Sequence, residues 1–320
     1  MKTVYKTKFL KKRVEDSYDF LADGSKTWEL TDDVLAAIWL TIKGDLVQAD
    51  VCNEKLTGLI NGIDVWFGGF NVVHYAHGEH CHMMNMLLKQ SRTMLIGNGM
   101  AIDDVQGICF PILFGAPYLN EKMALPASLS NRKTLTLNVD IADANFDDLL
   151  IDIVEVILPG GNPTGFIKQE EVNLSAQGTG DKDVWLQRNW DLLKMLFHVP
   201  TVPVDAAWTT TINRAGLEID DFVFGYQAVP WTVLHGEMMD EITGMSGIEN
   251  HTHTGDSFSM AENLEAWIRH YAVLDFFFNK DLKWRAPLAE ASTAKLKLNL
   301  GVDEAFNYVQ ANYVPTAKVK

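Results

Sequence analysis

Residues 74–84, HYAHGEHCHMM, place His74, His77, His80 and His82 with Glu79 and Cys81 inside nine positions. Imidazole and thiolate are transition-metal ligands, so the first question is whether this stretch holds an ion. A His-x-His pair on a strand presents both rings on one side, because alternate residues share a face. Two such pairs occur, His80-Cys81-His82 and His251-Thr252-His253. A further tripeptide, His77-Gly78-Glu79, returns 158 residues later as His235-Gly236-Glu237. Glycine between polar neighbours that hydrogen-bond locally reads as a turn rather than as a ligand set.

Other chemistries find less support. GNGMAI (97–102) lacks the strand-to-helix fingerprint of a dinucleotide site, and no G-x-x-x-x-G-K-[ST] phosphate loop is present. GMSG (244–247) lacks the spacing of a nucleophile elbow. Acids alternating with apolar residues in DDLLIDIVE (147–155) and EIDD (218–221) read as the wet face of a sheet, not as acid/base pairs. Nine tryptophans raise the question of sugar stacking, but Trp39 and Trp66 sit in strand patterns that suit core or interface. The polar stretch 246–260, SGIENHTHTGDSFSM, reads as a binding loop or an exposed tip.

The elements that would position these residues are mostly strands. In KTLTLNVDI (133–141), Leu135, Leu137, Val139 and Ile141 share one face, the period of a half-buried strand. The same period marks 37–44, 59–69, 206–213 and 295–302, with turn residues between them. Helical spacing is confined to HCHMMNMLLKQ (80–90), whose histidines would occupy the first turn, and SMAENLEAWIRHYA (259–272), with Ser259 and Glu262 as a capping box.

A repeat organises these strands. PASLSNRKTLTLNVDI (126–141) aligns without a gap on PLAEASTAKLKLNLGV (287–302), 161 residues on, matching Leu135 with Leu296, Leu137 with Leu298 and Asn138 with Asn299. The join falls in the glycine- and proline-rich stretch 158–171. A duplicated all-β unit of this length suits an eight-stranded jelly roll. The expected fold is therefore all-β: a basic N-terminal arm over 1–20, a first jelly roll over 21–165 and a second over 166–320, with a few short helices.

Tandem jelly rolls are also the architecture of two-domain cupins, which ligate metal through His-x-His. Such a site needs a glutamate soon after the second histidine, yet Asn85 and Met86 follow His82, and Gly255, Asp256 and Ser257 follow His253. The two His-x-His pairs lie 171 residues apart, out of step with the repeat. The reading is therefore no catalytic residue, no metal ligand and no cofactor; the alternative kept open is a cupin-like metal enzyme or a carbohydrate-binding β-sandwich.

Charge is unevenly placed. Lys2, Lys6, Lys8, Lys11, Lys12 and Arg13 supply +6 before the first acid, so a net −15 leaves −21 on the remaining chain. An acidic body stays soluble and repels polyanions, whereas a basic arm can reach lipid headgroups or nucleic acid. Three cysteines, Cys52, Cys81 and Cys109, argue against a disulfide framework and for synthesis in a reducing compartment. The basic start runs into no apolar segment, so neither a secretory signal nor a membrane span is expected.

Together, ALPASLSNRKTLTLNVDI, RAPLAEASTAKLKLNLGV and the passage from LTIKGDL to LINGIDVWFGG resemble the double jelly-roll major capsid proteins of tailless icosahedral viruses, in particular bacteriophages with an internal lipid membrane. The resemblance runs from about Trp28 to Pro315. It implies a structural protein that trimerises into pseudo-hexagonal capsomers and builds an icosahedral shell in the virion, made and assembled in the host cytoplasm. The implied partners are other copies of the chain, minor capsid and vertex proteins, and a membrane or packaged genome met by the basic arm; no small-molecule substrate is implied.

Overall fold

The computed structural model describes residues 8–47, 53–90, 94–96, 103–128, 132–141, 146, 148–203, 208–243 and 268–319. Two compact units result: Met1–Lys168 with Val314–Lys320, and Gln169–Tyr313.

The first unit runs β1 (Leu10–Asp19), β2 (Gly24–Glu29), β3 (Leu35–Asp45), β4 (Ile60–Phe67), β5 (Phe70–Tyr75), α1 (Gly78–Lys89), β6 (Met94–Ile96), β7 (Val105–Leu113), β8 (Lys133–Val139) and β9 (Leu150–Ile157). One sheet has the order β1-β9-β3-β7-β6, the other β2-β8-β4-β5. The second unit continues with β10 (Gly165–Leu174), β11 (Gly180–Trp185), β12 (Asp191–His198), β13 (Ile212–Ile219), β14 (Phe222–Val223), β15 (Val229–Pro230), α2 (Trp231–Thr243), β16 (Tyr271–Asp275), β17 (Ala294–Leu300) and β18 (Phe306–Pro315). The first four residues of β10 and the last two of β18 group with the first unit. Its orders are β10-β18-β12-β16 and β11-β17-β13-β14, with β15 also on β13.

Matched in chain order, β1-β9-β3-β7 becomes β10-β18-β12-β16, and β2-β8-β4-β5 becomes β11-β17-β13-β14. Each unit thus holds the eight strands of a jelly roll in two groups of four, to which β6 and β15 are additions, and the chain is a double jelly roll. The repeat read from sequence maps β8 onto β17 residue for residue at an offset of 161, and both strands alternate buried and half-buried side chains.

Both cores follow from this alternation. Leu40, Ile42, Ile63, Val65, Tyr75 and Phe110 line the first; Met195, Phe197, Leu217, Leu274, Leu296 and Leu298 line the second. Each such side chain contributes roughly 1.5–3 kcal/mol when removed from water. α1 is buried on almost all sides, as expected of a helix apolar around most of its circumference. No helix among the described residues is long and apolar enough to cross a membrane.

Four expectations change. The tripeptide at 235–237 lies inside α2, and its counterpart starts α1 with His77 as N-cap, so neither is a free-standing turn. Of the strand expected over 206–213, residues 206 and 207 lie outside the described residues, 208–211 are not strand, and β13 begins at Ile212, where the ladder to β17 starts. The helix expected over 259–272 falls outside the described residues up to 267, and Tyr271 and Ala272 belong to β16. The stretch read as an arm becomes a strand at Leu10, paired antiparallel with β9.

Candidate functional site

The histidine stretch does not lie on one strand. MMNMLLK favours a helix, so His80-Cys81-His82 is taken into α1, where residues two apart project about 200° from each other. The rings of His77 and His80 lie 4.7 Å apart, whereas His82 packs on Phe110 at 5.1 Å. His74 stays on β5 beside Asp64, at 2.8 Å. Asn85, where the cupin pattern calls for glutamate, donates to the Cys81 carbonyl and accepts from Leu113 N–H, both at 2.8 Å. It ties α1 to β7. GNGMAI, GMSG, the 246–260 stretch with His251 and His253, Cys52, Lys2 and Lys6 lie outside the described residues.

Burial pushes the His82 imidazole down to about 3, while the unfolded chain takes up its proton near 6.5. The folded state therefore favours the neutral ring. This contribution is fully present above pH 6.5 and is lost by about 1.4 kcal/mol per unit as pH falls from there toward 3. Urea midpoints between pH 7 and pH 4.5 should fall less steeply for His82→Leu than for the wild type. Equal slopes would contradict the assignment.

The acids divide by environment. Asp152 binds Lys43 at 2.7 Å and accepts from Ser17 N–H at 2.6 Å, as suits a partly wet face. Glu155 corrects that reading for its own strand: it is wholly buried, accepts from Thr31 N–H and lies 3.7 Å from Lys12. Burial holds its carboxyl above the usual range. Lys133 lies nearby, donating to the carbonyls of Thr31, Asp32 and Asp33 at 3.2, 3.2 and 2.6 Å and so closing the β2–β3 connection. Burial pushes it down to about 8 against the pull of Asp32. In EIDD, Glu218 and Asp221 both meet Lys295 at 3.2 Å, and Asp220 accepts from Ser292 and Thr293 N–H at 2.7 Å. These are structural ties.

The second unit holds an ionic cluster that the sequence reading missed. Lys194 on β12 is almost fully buried, 2.8 Å from Asp275 on β16 and 3.0 Å from both oxygens of Glu241 on α2. Burial, with Asp275 alongside, raises Glu241 to about 8 despite the lysine. One ammonium can neutralise only one of the two carboxyls fully, and Asp275 is the closer.

Of the basic residues, Lys8 precedes β1, and Lys11, Lys12 and Arg13 stand exposed along it. β1 is the edge strand of its sheet, where lysines also discourage unwanted pairing. Phe9 and Leu10 are exposed beside them. Lys11 and Lys89 place their ammonium groups 5.8 and 4.6 Å from the Trp39 ring. This surface mixes positive charge with apolar and aromatic side chains. Trp28 and Trp231 are buried, and Trp66, Trp185, Trp208 and Trp284 are exposed.

No family model matches the sequence, and no curated protein does. Solved structures do match. The major capsid protein P2 of bacteriophage PM2 has a TM-score of 0.65 at 11% identity, covering 96% of this chain and 97% of that one. The STIV MCP reaches 0.69 at 10% identity, covering 98% of each. A quasi-atomic model of the PBCV-1 virus capsid reaches 0.60 at 11%, covering 98% and 95%. At these identities the likeness is one of fold: along nearly its whole length, the chain has the double jelly-roll architecture of major capsid proteins from icosahedral viruses.

Proposed function

We propose that this chain is a viral major capsid protein that trimerises into pseudo-hexagonal capsomers and builds an icosahedral shell over a lipid membrane. The observation that carries the reading is the duplication: one strand order, realised twice in one chain, whose fold is that of capsid proteins along their full length. Two similar rolls per chain let a threefold object imitate sixfold symmetry, and closed symmetric contacts avoid open filaments. On this reading the two rolls are those expected over 21–165 and 166–320, the first extended back to Leu10 by β1, the chain performs no catalysis, and its partners are its own copies with minor capsid and vertex proteins. Assembly takes place in the host cytoplasm. The His-x-His strand pair on which the cupin-like alternative rests is not formed, because His80 and His82 lie on a helix.

On the same reading the basic segment meets the internal membrane or the packaged genome. Lys2, Lys6, Lys8, Lys11, Lys12 and Arg13 each contribute about 1 kcal/mol close to an anionic lipid surface; packaged genome is the other anionic partner. Because β1 begins at Leu10, the informative truncation removes residues 1–8 and leaves the strand whole. Light scattering should give a trimer of about 108 kDa, three times 35.9 kDa, for full-length and truncated chains alike. The full-length chain should pellet with anionic vesicles at low salt markedly more than the truncated chain, which keeps Lys11, Lys12 and Arg13. A metal-loaded monomer would overturn the capsid reading, and equal vesicle binding by the truncated chain would overturn the role of those residues.

A further inference from the structure

A groove of about 550 Å³ opens in the second unit, lined chiefly by Phe224, Tyr226, Phe276, Phe278 and Trp284, with Glu237 as the ionisable group besides Tyr226. Its size and apolar lining with a single carboxylate are those of a small-molecule site. The rings meet edge to face: Tyr226 and Phe276 lie 5.4 Å apart at 85°, Phe278 and Trp284 6.3 Å apart at 86°. Aromatic rings attract cations that come within about 6 Å of them, and five such rings line this groove beside a carboxylate. Trp284 and Phe278 are each about half exposed, so the mouth is open. The Tyr226 hydroxyl accepts from Asp275 N–H at 3.1 Å and reaches Glu237 at 3.3 Å, which fixes both at the groove wall.

Charge selects among ligands. Among the described residues, no lysine or arginine lines the groove. Lys283 holds its ammonium over the Trp284 ring, 5.1 Å from the centroid, and is paired with Asp281 at 3.0 Å, so this ring already accommodates a cation. With Glu237 in the wall and a net charge of −15 on the chain, anions are disfavoured. We infer that this aromatic groove binds an organic cation of the quaternary ammonium class, either free or as a lipid headgroup.

The test is titration of the full-length chain with choline, followed by saturation-transfer NMR on the choline methyl protons. The expected dissociation constant is on the order of 1 mM, the range for a few cation–π contacts in an exposed site. The neutral isostere 3,3-dimethylbutan-1-ol should bind at least about tenfold more weakly. Trp284→Ala should abolish binding, and Glu237→Gln, which preserves the contact with Tyr226 but removes the charge, should weaken it about fivefold. Phosphatidylcholine vesicles that sediment with the protein and are released by choline would assign the headgroup; choline binding without vesicle binding would assign the free cation. Equal affinity for choline and the neutral alcohol, or unchanged binding in Trp284→Ala, would overturn the proposal.

Discussion

Lys194→Met is expected to destabilise the second unit by roughly 3–5 kcal/mol, the range for removing one partner from a buried ionic group. The methionine fits the lysine's stem, so the loss comes from charge rather than volume. In the wild type the ammonium lies 2.8 Å from Asp275 and 3.0 Å from Glu241. Without it the two carboxyls face each other in a site that excludes water, and one negative charge is left uncompensated. Glu241→Gln should be far milder, because burial already pushes that carboxyl up to about 8 and keeps it protonated at neutral pH.

The same cluster sets an alkaline limit. The folded state holds the Glu241 proton to about pH 8, and the unfolded chain releases it near 4.5. The contribution is therefore complete below pH 4.5 and is lost as pH rises through the folded value, at up to about 1.4 kcal/mol per unit. Denaturant midpoints at pH 5, 7 and 9 should decline in the wild type and flatten in Glu241→Gln. His82 in the first unit works in the opposite sense. A Glu241→Gln slope matching the wild type would remove Glu241 as the cause.

How much of this was readable depended on whether a side chain or the backbone carried the signal. β8 and β17 announced themselves because both faces of a half-buried strand leave a two-residue period. β1 left no such trace: LKKRVEDSYD is exposed along most of its length and holds its place by backbone pairing with β9. In α2 the buried Trp231, Leu234, Met238 and Ile242 repeat at helical spacing, but the repeated tripeptide with Gly236 suggested a turn and masked that period. Lys133 was legible in part, since it shares the parity of Leu135 and Leu137. Lys194 was not, because its partners come from elements 47 and 81 residues away in the chain. The aromatic groove was equally hidden, its rings being drawn from separated segments.

The repeated tripeptide yields the sharpest contrast between the two halves. At Gly78 an added Cβ would stand 2.4 Å from the Thr57 carbonyl oxygen and 2.8 Å from Ile60 Cβ, whereas at Gly236 it would meet nothing within 4 Å. Gly78 permits α1 to start against the segment before β4; Gly236 sits on the exposed side of α2. Gly78→Ala should therefore cost about 3 kcal/mol, the upper part of the usual range for overpacking, because a backbone carbonyl cannot swing aside like a side chain. Gly236→Ala should stabilise by about 0.8–1 kcal/mol, the difference in helix propensity between the two residues. Urea unfolding of both variants decides the matter: opposite signs are expected from the same substitution in the same tripeptide. If Gly78→Ala unfolds at the wild-type midpoint, the close approach of α1 to Thr57 is wrong. If Gly236→Ala is destabilised, that position is packed rather than open, and the second copy of the tripeptide does share the constraint of the first.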